Sequence, residues 1–179
     1  MDKLFIPRKN YMELDEVRNY LAIERWANRL QAAAGGGGRD WGTVVVAAAN
    51  THAGHNAHFI CDGVADQVEV QAAVDSLPAG KGQVVLLEGD YNFNGTVVVG
   101  GANISIRGMG MHASVIYTPV TAFDVIGGTA LFTHLGFTGT GTNPATPVGI
   151  LARDCAQTWV VECSFVTLGV GIDFAFCVS

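Results

Sequence analysis

Short apolar segments recur along the second half of this chain at nearly constant intervals, and this restricts the fold more than anything else in the sequence. Ile104-Ser105-Ile106-Arg107, Leu131-Phe132-Thr133-His134 and Trp159-Val160-Val161-Glu162 are spaced by 27 and then 28 residues. A second set, Phe123-Asp124-Val125, Ile150-Leu151-Ala152 and Ile172-Asp173-Phe174, steps by 27 and then 22. A parallel solenoid repeats every roughly 20 to 30 residues, because each coil must return to lie on the one before. Glycines (Gly108, Gly110, Gly127-Gly128, Gly139, Gly141, Gly149, Gly169, Gly171) punctuate the segments at short intervals, as the corners of a coil require. A β-sandwich would also show short strands and turns. Two columns stepping by similar amounts favour coils.

Composition removes several other classes. Glycine is 23 of 179 residues, above the usual share of about 7%, yet no collagen period is present. With 49% hydrophobic and only 15% charged residues, the chain has ample apolar surface to bury and is not of the disordered type. Ten basic and sixteen acidic residues give a net charge of −6, and no cluster of Lys and Arg offers a non-specific grip on nucleic acid. No stretch approaches the roughly 20 apolar residues of a membrane span. The N-terminus lacks the apolar core and cleavage site of an export leader, so synthesis in a reducing cytoplasm is expected. Cys61, Cys155, Cys163 and Cys177 contain no C-x-x-C and read as buried, reduced thiols.

The chain divides into a helical segment over 1–34, a glycine-rich linker over 35–40 and a β-domain over 41–179. Asn10 and Glu13 have capping-box spacing, and no Gly or Pro occurs after them until Gly35, which predicts one long helix over 10–34. Tyr20, Ile23, Ala27, Leu30 and Ala34 form one apolar stripe; Leu14, Val17 and Leu21 form an offset second. Two stripes call for partners on more than one side. The run Gly35-Gly36-Gly37-Gly38 uncouples the helix from the β-domain, which favours packing against other subunits over folding back. The first stripe is the expected oligomerisation face.

From Trp41 the pattern changes. Val44-Val45-Val46 predicts a short buried strand, and after it comes a polar loop with His52, His55 and His58. Three imidazoles at H-x-x-H-x-x-H spacing are candidate metal ligands. The intervening Asn, Gly and Ala equally suit a solvated loop, and no other cofactor is expected. Asp66-x-x-Glu69 has capping-box spacing, and Val70, Ala73, Val74 and Leu77 then keep helical periodicity up to Pro78-Ala79-Gly80. Beyond these lie an apolar strand at Val84-Val85-Leu86-Leu87, then Gly89-Asp90-Tyr91-Asn92-Phe93 and Val97-Val98-Val99.

Taken as one string, Cys61-Asp62-Gly63-Val64-Ala65-Asp66, the helix, Gly80-Lys81-Gly82, Val84 to Leu87 and Glu88-Gly89-Asp90-Tyr91 resembles the opening of pectate-lyase-like proteins. The resemblance runs from about Asp62 to Tyr117 and continues more weakly to the C-terminus. Gln67 stands where that superfamily carries a second acid, and Glu88 where proline is common. The resemblance implies a right-handed parallel β-helix capped by a short helix; this sequence supplies about three coils, and the resemblance leaves residues 1 to 40, with the long N-terminal helix, unexplained.

Register sets the outward-facing candidates. With Ile104, Leu131 and Trp159 inward and stacked, alternation sends Arg107, His134 and Glu162 outward as one ladder, with coils about 4.8 Å apart. These three are the candidate substrate-binding residues, set against a plain exposed ion-pair ladder contributing about 0 to 1 kcal/mol per pair. Asp124 and Asp173 share the other column with Leu151 between them, and no catalytic role is assigned to them.

Pectate-lyase-like proteins include polysaccharide lyases, pectin-cleaving hydrolases and the spikes and fibres of bacteriophage tails. The lyases' calcium-binding acid cluster with an Arg base has no counterpart in this sequence. The hydrolases' N-x-D, D-D, G-H-G and R-I-K set is likewise missing, so no catalytic residue carries over. Ile172, Phe174, Phe176 and Val178 alternate as a strand running to Ser179 with no closing helix, so that end is expected to continue or to be covered by another subunit. A docking helix, a glycine hinge and a β-helix resemble the virion-proximal part of a tail fibre, tail spike or minor tail protein. The resemblance implies a homotrimer in the virion, with tail or baseplate proteins and host surface polysaccharide as partners and neither nucleic acid nor membrane insertion. A truncated polysaccharide lyase or depolymerase and a glycan-binding module without turnover are the alternatives.

Overall fold

The computed structural model describes residues 42–52, 56–101, 103–141 and 147–175. The expected helix over 10–34, its stripe Tyr20, Ile23, Ala27, Leu30 and Ala34, and the glycine linker lie outside the described residues, as do His55 and Cys177. Among the described residues no helix is long and apolar enough to cross a membrane.

Strand formation reflects the alternation of the sequence. In β3 (Lys81–Leu86), Gly82, Val84 and Leu86 are buried while Gln83 and Val85 face outward. The chain then passes through β4 (Gly89–Asn92) and β5 (Val97–Gly100) and turns back to lie on β3. The next pass is β6 (Asn103–Arg107), β7 (Ser114–Thr118) and β8 (Phe123–Ile126). After it come β9 (Thr129–Thr133), β10 (Gly136–Gly139) and β11 (Val148–Arg153), then β12 (Gln157–Val161), β13 (Ser164–Val166) and β14 (Val170–Ala175). Every pairing is parallel. Three sheets result, with orders β12-β9-β6-β3-β1-β2, β13-β10-β7-β4 and β14-β11-β8-β5, where β1 is Gly42–Ala47 and β2 is Phe59–Ile60. The fold is a parallel β-solenoid of about three turns, from β3 round to β12, with β13 and β14 completing the last pass.

Columns of like residues fill the interior. On the first sheet Val44, Val84, Ile106, Phe132 and Val160 stack; on the second, Tyr91, Ile116, Phe137 and Phe165. On the third, Val97, Phe123, Ile150 and Ile172 form one column and Val99, Val125, Ala152 and Phe174 another. The rings continue across columns: Phe123 lies 5.1 Å from Phe132 and 5.8 Å from Phe93, and Phe137 stacks on Phe165 at 4.9 Å. Such aromatic pairs add about 0.5–1.5 kcal/mol each beyond the area they bury. The buried hydroxyls have partners: Tyr91 Oη donates toward the carbonyls of Val46 and Leu87, and Ser114 Oγ toward those of Leu86 and Leu87.

The third-sheet column matches the sequence expectation, with Ile150 on Phe123, Ile172 on Ile150 and Leu151 between Asp124 and Asp173. The first-sheet column does not. Leu131 pairs with Trp159 as expected, but it lies on Ser105, while Ile104 lies on Ala130. The step from β6 to β9 is one residue shorter than the apolar segments suggest. Because side chains alternate, that single slip turns Leu131 and Trp159 outward and makes Ala130, Phe132 and Val160 the inward set.

The two ends of the solenoid differ. At one end α1 (Gln67–Asp75) packs on β1, β2 and β5 through its Val70, Ala73 and Val74 face. Its polar side chains replace a missing coil. Gln71 accepts from the Val98 amide (2.7 Å) and donates to the Val98 carbonyl (3.1 Å) on the free edge of β5. Gln67 bonds the amide and the side chain of Asn94 in the same manner (3.1 and 2.7 Å). On β4, Asn92 donates its amide to the Asp66 carboxylate (2.7 Å), while the Asp66 amide donates to the Asn92 carbonyl (3.0 Å). The capping box expected at Asp66 and Glu69 does not form: Asp66 is itself helical and caps no amide of its own helix. Its carboxylate is drawn to Gly63 and Asn92 instead, because those edge amides have no other acceptor. At the other end, nothing among the described residues covers the pass β12–β14 in this way. Phe174, Val166 and Val170 are exposed, and Val160, Phe165 and Ile172 are only half-buried, although Phe132, Phe137 and Ile150 directly beneath them are fully buried.

Candidate functional site

The sequence singles out a ladder of Arg107, His134 and Glu162, and the structure assembles two of its three rungs. His134 (φ 59°) and Glu162 (φ 51°) are the corner residues after β9 and β12, both in the left-handed region, where the chain leaves the first sheet for the second. Equivalent corners on successive coils bring their side chains together, and His134 Nε2 meets the Glu162 carboxylate at 2.6 Å. His134 Nδ1 is shielded from solvent and has no partner, so the neutral ring carries its proton on Nε2 and donates it to Glu162. Arg107 is not at this corner. The shorter step pairs it with Thr133, and the residue under His134 is Gly108, where a Cβ would lie 2.2 Å from the His134 carbonyl oxygen.

Asp124 and Asp173 stand on either side of Leu151, as the spacing predicts. Asp173 is exposed, whereas Asp124 is 7% exposed and bound by Arg153. Arg153 donates from Nε to one oxygen of Asp124 at 2.9 Å and from Nη2 to the other. The bond to Asp124 and that residue's charge raise the Arg153 pKa, keeping it cationic. Sequence reasoning missed this fork. Its signal was nonetheless present, since Arg153 lies one 27-residue step plus two from Asp124, a diagonal neighbour across parallel strands.

The histidine loop is only partly described. His52 is exposed, and His58 Nδ1 accepts the Val45 amide at 2.9 Å, so His58 reaches outward only through Nε2. On the outer face of the second sheet, Met111, His112, Val115, Tyr117, Thr138 and Val166 line a shallow groove of about 190 Å³. Its floor is Gly136, where a Cβ would fall 2.3 Å from the Met111 carbonyl oxygen, so only glycine lets the 109–113 loop fold this close. The groove offers a phenol, an imidazole, a hydroxyl and apolar walls, a mixture suited to the alternating polar and apolar faces of a sugar ring.

No family model, no curated protein and no solved structure matches this chain. The fold therefore stands on its own geometry. Of the outward acids, Asp124 is engaged by Arg153 and Glu162 by His134.

Proposed function

We propose that this chain is a structural component of a bacteriophage tail (a fibre, spike or minor tail protein) that docks through its N-terminal segment and projects the β-solenoid for host attachment. The observation that carries the reading is the difference between the two ends of the solenoid. One end has its strand edges covered by α1, Asp66, Gln67 and Gln71; the other leaves a cross-section of the core half-exposed. A coil edge of this kind pairs with further strands or with another subunit. The sequence resemblance to pectate-lyase-like tail proteins supports the same reading and adds the expectation of a homotrimer in the virion. Light scattering on the purified full chain is the test. A mass of three times 18.8 kDa supports the proposal, and a stable monomer over the micromolar range counts heavily against it.

The groove beside Tyr117 and His112 favours a second reading, a glycan-binding module without turnover. Binding on a glycan array with no product released would support it. Release of reducing ends or unsaturated sugars from a polysaccharide panel would instead mark a depolymerase.

A further inference from the structure

We propose that Cys61, Asp66 and Glu69 form a binding site for a thiophilic divalent cation, zinc being the expected ion, at the closed end of the solenoid. Cys61 ends the segment after β2, Asp66 opens α1, and Glu69 lies three residues further on the same face of that helix. One ligand atom from each residue lies within 4.8 Å of the others. Cys61 is 2% exposed and Asp66 fully buried, while Glu69 is partly buried.

A second observation points to a missing partner. Glu69 Oε2 is shielded from solvent and makes no hydrogen bond. A buried carboxylate oxygen left this way is costly, and native structures supply a donor, a proton or a cation. Two carboxylates and a thiol converge at the cluster, and the charges acting on Cys61 are the carboxylates of Asp66, Glu69 and Asp62. Asp66 is already oriented as a ligand. Its two oxygens accept the Gly63 amide (2.8 Å) and the Asn92 amide (2.7 Å), which fixes the carboxylate and leaves a lone pair on each oxygen.

The donor set selects the ion. Calcium and magnesium take oxygen ligands, whereas a thiolate with two carboxylates suits zinc. Zinc bonds of about 2.0–2.3 Å need the ligand atoms only slightly closer together, with water completing the tetrahedron. Burial and the neighbouring Asp66, Glu69 and Asp62 carboxylates push the Cys61 thiol above its ordinary 9.0, and a cation in the cluster reverses that penalty. On binding, the Cys61 S–H bond breaks, its proton leaves to solvent, and a sulfur–zinc bond forms.

The test uses the full chain, stripped with chelator and then titrated with zinc. At a hundred times its dissociation constant, zinc is expected to raise the melting temperature by roughly 5–10 °C. Cobalt in its place should give a thiolate-to-metal charge-transfer band. Cys61→Ser should abolish the band. Glu69→Gln, which keeps the shape of the site, should remove most of the zinc-dependent rise while folding normally in chelator. No rise and no band in the unaltered chain would overturn the proposal, leaving a shared proton as the cluster's occupant. A zinc response undiminished in both variants would also overturn it, and would direct attention to the histidine loop.

Discussion

At the scale of single residues, the outward contact at the corner positions is expected to contribute little to the fold. His134 and Glu162 meet because each occupies the same left-handed corner one coil apart, and Glu162 remains 56% exposed at its side chain. Glu162→Ala is expected to change stability by less than about 1 kcal/mol in chemical denaturation, as for other exposed pairs. A large loss of glycan binding in that variant would give the corner a functional role. Buried acids that ionise at high pH behave differently. Burial holds the Tyr91 phenol, and to a lesser extent the Cys163 thiol, above their ordinary values of 10.0 and 9.0, so both stay protonated in the folded chain after the unfolded chain has released its protons. The folded state then binds more protons than the unfolded one, and stability must fall as pH rises. The loss should begin near pH 9 and steepen above 10, with a slope of up to about 1.4 kcal/mol per pH unit for each group. Urea denaturation between pH 8 and 11 checks this, and a flat profile would contradict the burial of Tyr91.

At the scale of elements, α1 serves as a surrogate coil. Its apolar stripe was legible from Val70, Ala73, Val74 and Leu77, all buried as periodicity predicts. Its capping chemistry was misread. Asp66 and Glu69 have the spacing of a capping box, but Asp66 takes the free amide of Asn92 in β4 and caps none in its own helix, and no local pattern reveals that. Gln67 and Gln71 carried a usable signal, two amides at i and i+4 beside the apolar stripe, although their partners Asn94 and Val98 are 27 residues away. Each glutamine amide both donates and accepts, as a strand's peptide would. Gln71→Ala is expected to cost about 1–2 kcal/mol by loss of two hydrogen bonds to the Val98 peptide and an exposed one to Asp75. Gln71→Glu, which can still accept from Val98 but sets a carboxylate against the Val98 carbonyl and Asp75, should be no more stable than that variant at neutral pH. Equal stability of all three in thermal denaturation would mean that water satisfies this edge equally well.

At the scale of the whole molecule, one end of the solenoid is covered by α1, and among the described residues the other is not. Phe174 continues the column of Val99, Val125 and Ala152 yet is 56% exposed, because nothing among the described residues lies on it. If that end is where subunits meet, Phe174→Asp should shift the mass measured by light scattering from trimer to monomer while leaving the circular dichroism of the β-fold intact. An unchanged mass would move the subunit contact elsewhere. The free backbone edge of β14 remains in either case, so the monomer is expected to aggregate over time unless the edge is blocked.

The parallel coil itself was written in the one-dimensional pattern. Buried residues must recur at the length of one turn, and Phe123, Ile150 and Ile172 do so in the register that the structure adopts. What only the tertiary structure decided was the register of the first sheet, the partners of the outward charges and the cover of the strand edges. The physical reason is the same for all three. A side chain's face reverses with every residue, and corner lengths are set by backbone fits such as Gly108 under His134 and Gly136 under Met111. A shift of one residue, invisible to a repeat of about 27, therefore separated Arg107 from His134 and turned Trp159 outward.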